Sequence, residues 1–364
     1  MKETICAICN KHFKEDELTE FDGYLFCQSC LAEQTVLCQD CGERIYRSQN
    51  EGTSEHPLCR ECHDDNYTYC ERCGRMIHND AALYIDDGDY PYCRFCYEIE
   101  CDRKIHEYNY KPDPIFYGEG NRFFGVELEI DEGGENDSSA EDVMYVANRS
   151  DEHIYCKHDG SLHDGFEIVT HPMTLDYHLN TMPWKEITDK ARDLDYTSHQ
   201  AKTCGLHIHV NRTAFGEDTS TQDAAIARVL YFVERNWNEL LIFSRRTQKQ
   251  LENWARRYGY KDEPCEMLEH AKKGSIGRYA CVNLTNYSTI EFRIFRGTLK
   301  INTIFATLQL VNRICEVAIC LSDEEIRNLS WSRFVGMVSE PELIQYLKEH
   351  RIYINETIET EDEI

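Results

Sequence analysis

Two glutamates stand two positions apart in an otherwise apolar run, "FFGVELEI", residues 123–130. Read as a strand, the run points Val126, Leu128 and Ile130 one way and Glu127 and Glu129 the other, with the carboxylates about 7 Å apart. Such a pair repels unless water or a cation lies between its members. A half-solvated strand and half of a metal site explain it equally well, so other segments must decide. Asp159 and Ser161 fall in "HIYCKHDGSL", Glu167 in "GFEIVTHP", His207 and His209 in "GLHIHVN", and Glu291 and Arg293 in "TIEFRIFRG", each among branched or aromatic residues. Acid, imidazole and guanidinium repeated across several strands describe a polar catalytic face better than an ordinary wet one. Carboxylates with one or two imidazoles are a hard, oxygen-rich donor set suited to magnesium or manganese. His207-x-His209 alone would also suit zinc, or be two satisfied polar residues. Arg278, Arg293 and Arg296 are odd partners for a bare cation but suit an anion seated on one, and phosphate is bound by both guanidinium forks and magnesium. Neither GxxxxGK[ST] nor a strand-associated GxGxxG occurs, so metal and arginine would have to hold any nucleotide.

A second chemistry lies in the cysteines. Twelve of the 19 form CxxC hooks: Cys6/Cys9 with Cys27/Cys30, Cys38/Cys41 with Cys59/Cys62, and Cys70/Cys73 with Cys93/Cys96. The unit recurs every 32 residues, from 6 to 38 to 70. Paired hooks at this separation supply four thiolates for one tetrahedral zinc, three times over. Asn10, Gly42 and Gly74 follow the first hooks and tolerate the left-handed backbone a zinc knuckle needs. His12, His56, His63, His78 and Cys101 are alternative ligands, with a surface role as the simpler account. Modules this small bury too little apolar surface to fold unaided, so the metal supplies folding energy. A closed four-thiolate site has no open position for catalysis. Cys156, Cys204, Cys265, Cys281, Cys315 and Cys320 lack hook spacing and read as structural thiols.

The elements that must position these groups follow from pattern and punctuation. Residues 1–110 form the three zinc modules, "YKPDPIFYGEG" carries a linker over 111–120, 121–350 form a second domain, and 351–364 an acidic tail. In the second domain the strands above alternate with helices: "AEDVMYVANR", "MPWKEITDKARDL", a long amphipathic helix over 222–250 capped by Thr221, and one of about 20 residues from Asn302. "YACVNLTNYSTIEFRIFRG" reads as a hairpin turning near Asn286. This order suits an α+β fold, an antiparallel sheet with helices on one face and the other face open. The net charge of −27 is spread along the chain and leaves no basic footprint for nucleic acid. "MKETICAICN" lacks an apolar signal core, and Asn312, Arg313 and Glu316 interrupt the most apolar stretch, so the reading is a soluble chain with no membrane span.

These blocks resemble known families. "DGYLFCQSC", "DGDYPYCRFCY" and His56-x-x-Cys59-x-x-Cys62 are similar to the second finger of LIM and other treble-clef modules, which implies protein interaction. "GVELEI", "KHDGSLHDGFEIVTHP", "GLHIHVN", "RYACVNL" and "TIEFRIFRGTL" resemble, in order and style, the amidoligases, a group of glutamine synthetase-like carboxylate–amine ligases. The resemblance spans about residues 120–320. It implies a curved antiparallel sheet whose concave face binds ATP and divalent metal. By motif, Glu127, Glu129, Glu167, Glu291 and one of His207 and His209 match the metal ligands. Arg293 matches the arginine two positions on, while Asp159 and Arg296 match recurrent positions. Arg278, Arg293 and Ser161 are the candidate nucleotide contacts.

The family is common in bacteria and their phages, which implies a cytoplasmic protein. The expected reaction is ATP-dependent amide formation through an acylphosphate, with Arg293 and Arg296 steadying the phosphoryl group and Asp159 taking the amine proton. The zinc modules depart from the family pattern and point to a protein or peptide substrate. A zinc-finger adaptor with an inactive ligase-like domain, or a metallohydrolase using His207 and His209, remain the alternatives.

Overall fold

A computed structural model describes residues 3–85, 88–274 and 276–353. The acidic end, 354–364, lies outside the described residues. The chain divides into two compact units, one up to Asp102 and one from Arg103 onward.

The first unit is built from short hairpins, Leu18–Phe21 with Tyr24–Cys27, Thr35–Leu37 with Arg44–Tyr46 and Tyr67–Tyr69 with Met76–His78. Helices Gln28–Gln34, Arg60–Asn66 and Arg94–Asp102 begin within the second hooks and carry their second cysteines, Cys30, Cys62 and Cys96. The turn after each first hook needs a left-handed residue. Asn10, Gly42 and Gly74 take φ of 58°, 75° and 65°, and their N–H groups return to the carbonyls of Cys6, Cys38 and Cys70. The apolar clusters are small. Cys6, Phe26 and Leu31 make one, Cys38, Ile45 and Leu58 another, and Cys70 and Tyr92 a third. Cores of this size do not hold a fold by burial alone.

The second unit contains one seven-stranded sheet: β1 (Ile105–His106), β2 (Phe124–Ile130), β3 (Ile154–Lys157), β4 (Phe166–Thr170), β5 (Gly205–Asn211), β6 (Val282–Asn283) and β7 (Thr289–Arg296). The order is β6-β7-β5-β2-β4-β3-β1. The expected curved antiparallel sheet is not what forms. The sheet is open, with β6 and β1 as its ends, and mixed, because β1 runs parallel to β3. β1 comes from the chain just before the linker, where two residues between polar neighbours carry no periodicity to read.

Alternation fills one face with Val126, Leu128, Ile130, Ile168, Leu206, Ile208, Ile290 and Phe292, all buried in one core with the flanking helices. These include α1 (Asp137–Ala147), α2 (Trp184–Asp193), α3 (Thr219–Arg235), α4 (Trp237–Ser244), α5 (Ile301–Cys320) and α6 (Pro341–Glu349). The long helix expected over 222–250 is three pieces. Asp218, not Thr221, caps α3 in a capping box with Thr221 at its third position. α4 then ends at Arg245 in the left-handed region, φ 59°, and a separate helix, Gln248–Trp254, opens on a Thr247/Gln250 capping box. α5 is the one described helix long and apolar enough to cross a membrane, and 72% of its apolar window is buried inside the fold, as befits a core helix.

One irregularity shapes the polar face. Leu206 pairs with Phe295 and Ile208 with Phe292, so two steps on β5 face three on β7. This bulge reverses alternation along β7. Glu291, opposite His209, and Arg296, opposite Gly205, thus face the same side although they are five positions apart.

Candidate active site and thiolate clusters

The side of the sheet away from the core carries the polar residues. Glu127 on β2 lies directly opposite His207 on β5, Glu129 opposite Glu167 on β4, and His209 opposite Glu291 on β7. Side chains across such pairs are close enough to share a ligand. His207 Nδ1 is 3.3 Å from Glu127 Oε2 and 3.7 Å from Glu291 Oε1, while its Nε2 is 3.7 Å from Glu129 Oε1. Two triads result, Glu127–His207–Glu291 and Glu129–Glu167–His207, each with ligand atoms within 4.8 Å of one another. Glu129, Glu167, His207 and Glu291 are buried. The fit to a cation is visible in an orphaned atom. His209 Nε2 is buried 3.0 Å from Glu127 Oε1 yet makes no aligned hydrogen bond.

The electrostatics say the same. Burial, reinforced by the charge of Glu127, holds the Glu167 carboxyl well above the ordinary carboxylate range. Burial also pushes Glu129 up, against the pull of His207. For Glu127 burial is overcome by His209 and His207, which keep its carboxyl well below that range. Four carboxylates this close are not comfortable as anions together without added positive charge.

A cavity of about 460 Å³ opens beside the cluster. Glu129, His207 and Arg293 line it; Glu127, Glu167, His209 and Glu291 adjoin those residues without lining it. Asp159, Ser161 and Arg278 also line it. Asp159 and Ser161 are not on a strand, however: β3 stops at Lys157, and the turn is closed by the Ser161 N–H donating to Asp159 Oδ1 at 2.7 Å. Arg293 donates to Glu291 Oε1, and Asn283 Nδ2 donates to Glu291 Oε2 at 2.8 Å. Arg296 is not brought in. Its guanidinium donates to the carbonyls of His199 and Arg245.

The cavity also recruits residues that strand alternation did not single out. Arg246 lines it and donates to the carbonyls of Phe295, 3.2 Å, and Cys204, 3.4 Å. Its signal was the Thr247-x-x-Gln250 capping box, which opens a new helix just after Arg246 and so marks it as lying in the break between two helices. Outside the cavity lining but beside the carboxylates, Lys157 is buried with its Nζ 3.7 Å from Glu167 Oε2, and alternation with Tyr155 on β3 would have found it. Tyr108, Trp254 and Tyr279 form the rim, with Arg278 donating to both tyrosine hydroxyls at 2.9 Å.

In the first unit the hooks close into three clusters, Cys6/Cys9/Cys27/Cys30, Cys38/Cys41/Cys59/Cys62 and Cys70/Cys73/Cys93/Cys96. Sulfurs from opposite hooks stand 3.9, 3.8 and 3.9 Å apart. A disulfide needs about 2.05 Å, whereas thiolates 2.3 Å from a tetrahedral metal are about 3.8 Å apart. Burial raises the Cys6, Cys38 and Cys70 thiols, but backbone N–H donors from both hooks outweigh it and bring each down to about 6. The neighbouring thiols then push Cys30 to about 12. The clusters are complete without histidine: His56 meets Tyr67 and Asp40, and His63 meets Asp64 and Tyr69.

Comparison with known proteins bears on the second unit. A family profile described as "Putative amidoligase enzyme" matches residues 145–315, so the chain carries an amidoligase-like domain. Among curated proteins none matches. A solved structure with similarity is a bifunctional glutathione synthetase from Pasteurella multocida, at 15% identity and a TM-score of 0.34. The match covers 63% of this chain and 46% of that one, so the chain spans under half of that synthetase's length.

Proposed function

We propose that the second unit is an ATP-dependent carboxylate–amine ligase and that the first holds three structural zinc ions and recruits a protein or peptide substrate. The observation that carries the reading is the convergence of four carboxylates and two imidazoles with Arg246 and Arg293 beside one cavity, in a chain whose residues 145–315 match the amidoligase profile. Magnesium or manganese held by Glu127, His207 and Glu291, and by Glu129, Glu167 and His207, would supply positive charge for phosphate oxygens.

The chain's own groups do the rest. Arg246, Arg278 and Arg293 line the cavity and offer donors to a triphosphate. Trp254 and Tyr279 give flat faces at its rim for a nucleobase. The γ-phosphoryl group leaves ADP and bonds to a substrate carboxylate oxygen. An amine nitrogen then attacks the carboxyl carbon, the C–N bond forms, and phosphate departs with that oxygen. Asp159, which lines the cavity, takes the amine proton.

The test uses the full zinc-loaded chain. Metal analysis should return three zinc per chain. Carboxylate substrates labelled with ¹⁸O, screened as amino acids and peptides with Mg-ATP and amines, should pass label into phosphate while an amide and ADP appear. Amide hydrolysis that proceeds without ATP would establish the metallohydrolase instead. ATP consumption indifferent to carboxylate and amine would refute the ligase.

A further inference from the structure

A second cavity in this unit, of about 1090 Å³, is larger than the first. Its walls come from the segment after α2, the end of α4, the start of α5 and the helix α6, and they include His199, Arg245, Lys300 and His350. Of these, Arg245 and Lys300 carry the charge, and neither pairs with a carboxylate among the described residues. Arg245 is part-buried and carries one guanidinium nitrogen 2.9 Å from both ring nitrogens of His199, a contact with a neutral ring rather than an acid. Arg296 lies just behind, its donors taken by the carbonyls of Arg245 and His199. Glu342 and Glu349 stand on the α6 side, but the first accepts from Gln309 and the second from Gln345, at 2.8 and 2.9 Å, and neither pairs with Arg245 or Lys300.

Three neighbouring groups feel the crowding. Burial, then Arg245, Arg296 and Lys300, pull His199 down to about 4. His350 is lowered by burial, Arg245 and Lys300, with Glu349 opposing. Arg296 is itself lowered by burial and by Arg245. Unpaired positive groups converging on a hollow are costly until an anion joins them. The backbone directs Arg245 there: it ends α4 with φ 59°, while the next residue, Arg246, lines the first cavity. Two consecutive arginines thus serve two separate pockets.

We propose that this second cavity is a binding site for an oxyanion group, phosphate or carboxylate, of a ligand distinct from the one held over the acidic cluster, with Arg245 and Lys300 as its charged contacts. The inference does not depend on the ligase reading, since it concerns binding and not turnover. Two guanidinium or ammonium bonds to an oxyanion are strong when partly shielded from water.

The test is calorimetric titration of the full zinc-loaded chain without nucleotide. Inorganic phosphate and pyrophosphate form one arm, acetate and succinate the other, and chloride the control. One arm should give saturable binding that weakens more than tenfold in Arg245→Gln and in Lys300→Gln. Arg278→Ala, in the first cavity, should leave it within twofold. Lys300 is exposed, so its variant should fold even if the Arg245 variant does not. No saturable binding in either arm, or binding lost with Arg278 and kept without Lys300, would overturn the assignment.

Discussion

Replacing Glu129 by glutamine should stabilise the metal-free protein and remove the part of its response to divalent cations that the Glu129–Glu167–His207 triad supplies. The carboxylate sits opposite Glu167, with ligand atoms within 4.8 Å. At an effective dielectric of about 20, two charges at that distance repel by about 3.5 kcal/mol. Arg246 and His207 offset part of this, yet burial still leaves the Glu129 carboxyl above its ordinary value, so the site as built resists the charge. Glutamine keeps an oxygen for the Gly205 N–H, which Glu129 Oε2 now accepts. A net gain of about 1 kcal/mol is expected, a rise of about 2–4 °C in melting temperature for a unit of this size.

With the cation the sign reverses. At a hundred times its dissociation constant a ligand adds about 2.7 kcal/mol, a rise of about 5–10 °C in the wild type. The variant, short of one of the three donors of the Glu129–Glu167–His207 triad, should lose this triad's share of it and keep what Glu127, His207 and Glu291 supply. Thermal melts with and without magnesium or manganese, the zinc left in place, read both effects. A variant that is destabilised without cation and still gains the full wild-type shift with it would show Glu129 to be a structural carboxylate and remove the basis for a cation at this triad.

Two further outcomes separate roles that the sequence runs together. Arg246→Ala should lower amide-forming turnover per folded molecule at least 100-fold, beyond any stability lost with its bonds to the Phe295 and Cys204 carbonyls. Arg296→Ala should instead cost about 1–3 kcal/mol of stability through its lost bonds to backbone carbonyls and leave turnover per folded molecule within a few-fold, as steady-state kinetics beside thermal melts would reveal. His178 is fully buried with its Nε2 3.0 Å from the Phe124 carbonyl and its Nδ1 without a partner, and burial lowers it to about 4. The folded state therefore keeps it neutral while the unfolded chain protonates near 6.5, so its contribution is complete above pH 6.5 and lost as pH falls toward 4. That loss is about 3 kcal/mol, and denaturant melts of His178→Gln should show a flatter pH dependence over that window; an unchanged slope would remove His178 as its source.

Spacing along the chain was enough for whatever is local. The hooks around Cys6, Cys38 and Cys70 declare three four-thiolate clusters because a knuckle is built within a few residues, and the left-handed turns at Asn10, Gly42 and Gly74 follow from the same geometry. Strand period two put Glu127, Glu129, His207, His209, Glu291 and Arg293 on the polar side, since alternation needs no knowledge of neighbours. Only tertiary structure decided which strands meet. Register sets Glu127 against His207 and Glu129 against Glu167, and register is a property of pairs. The β7 bulge, the helix break that turns Arg246 inward, and the short parallel strand that makes the sheet mixed all depend on packing between segments far apart in sequence. So does the fate of Arg296, which resembles a phosphate ligand in its motif but is taken by two backbone carbonyls in the fold.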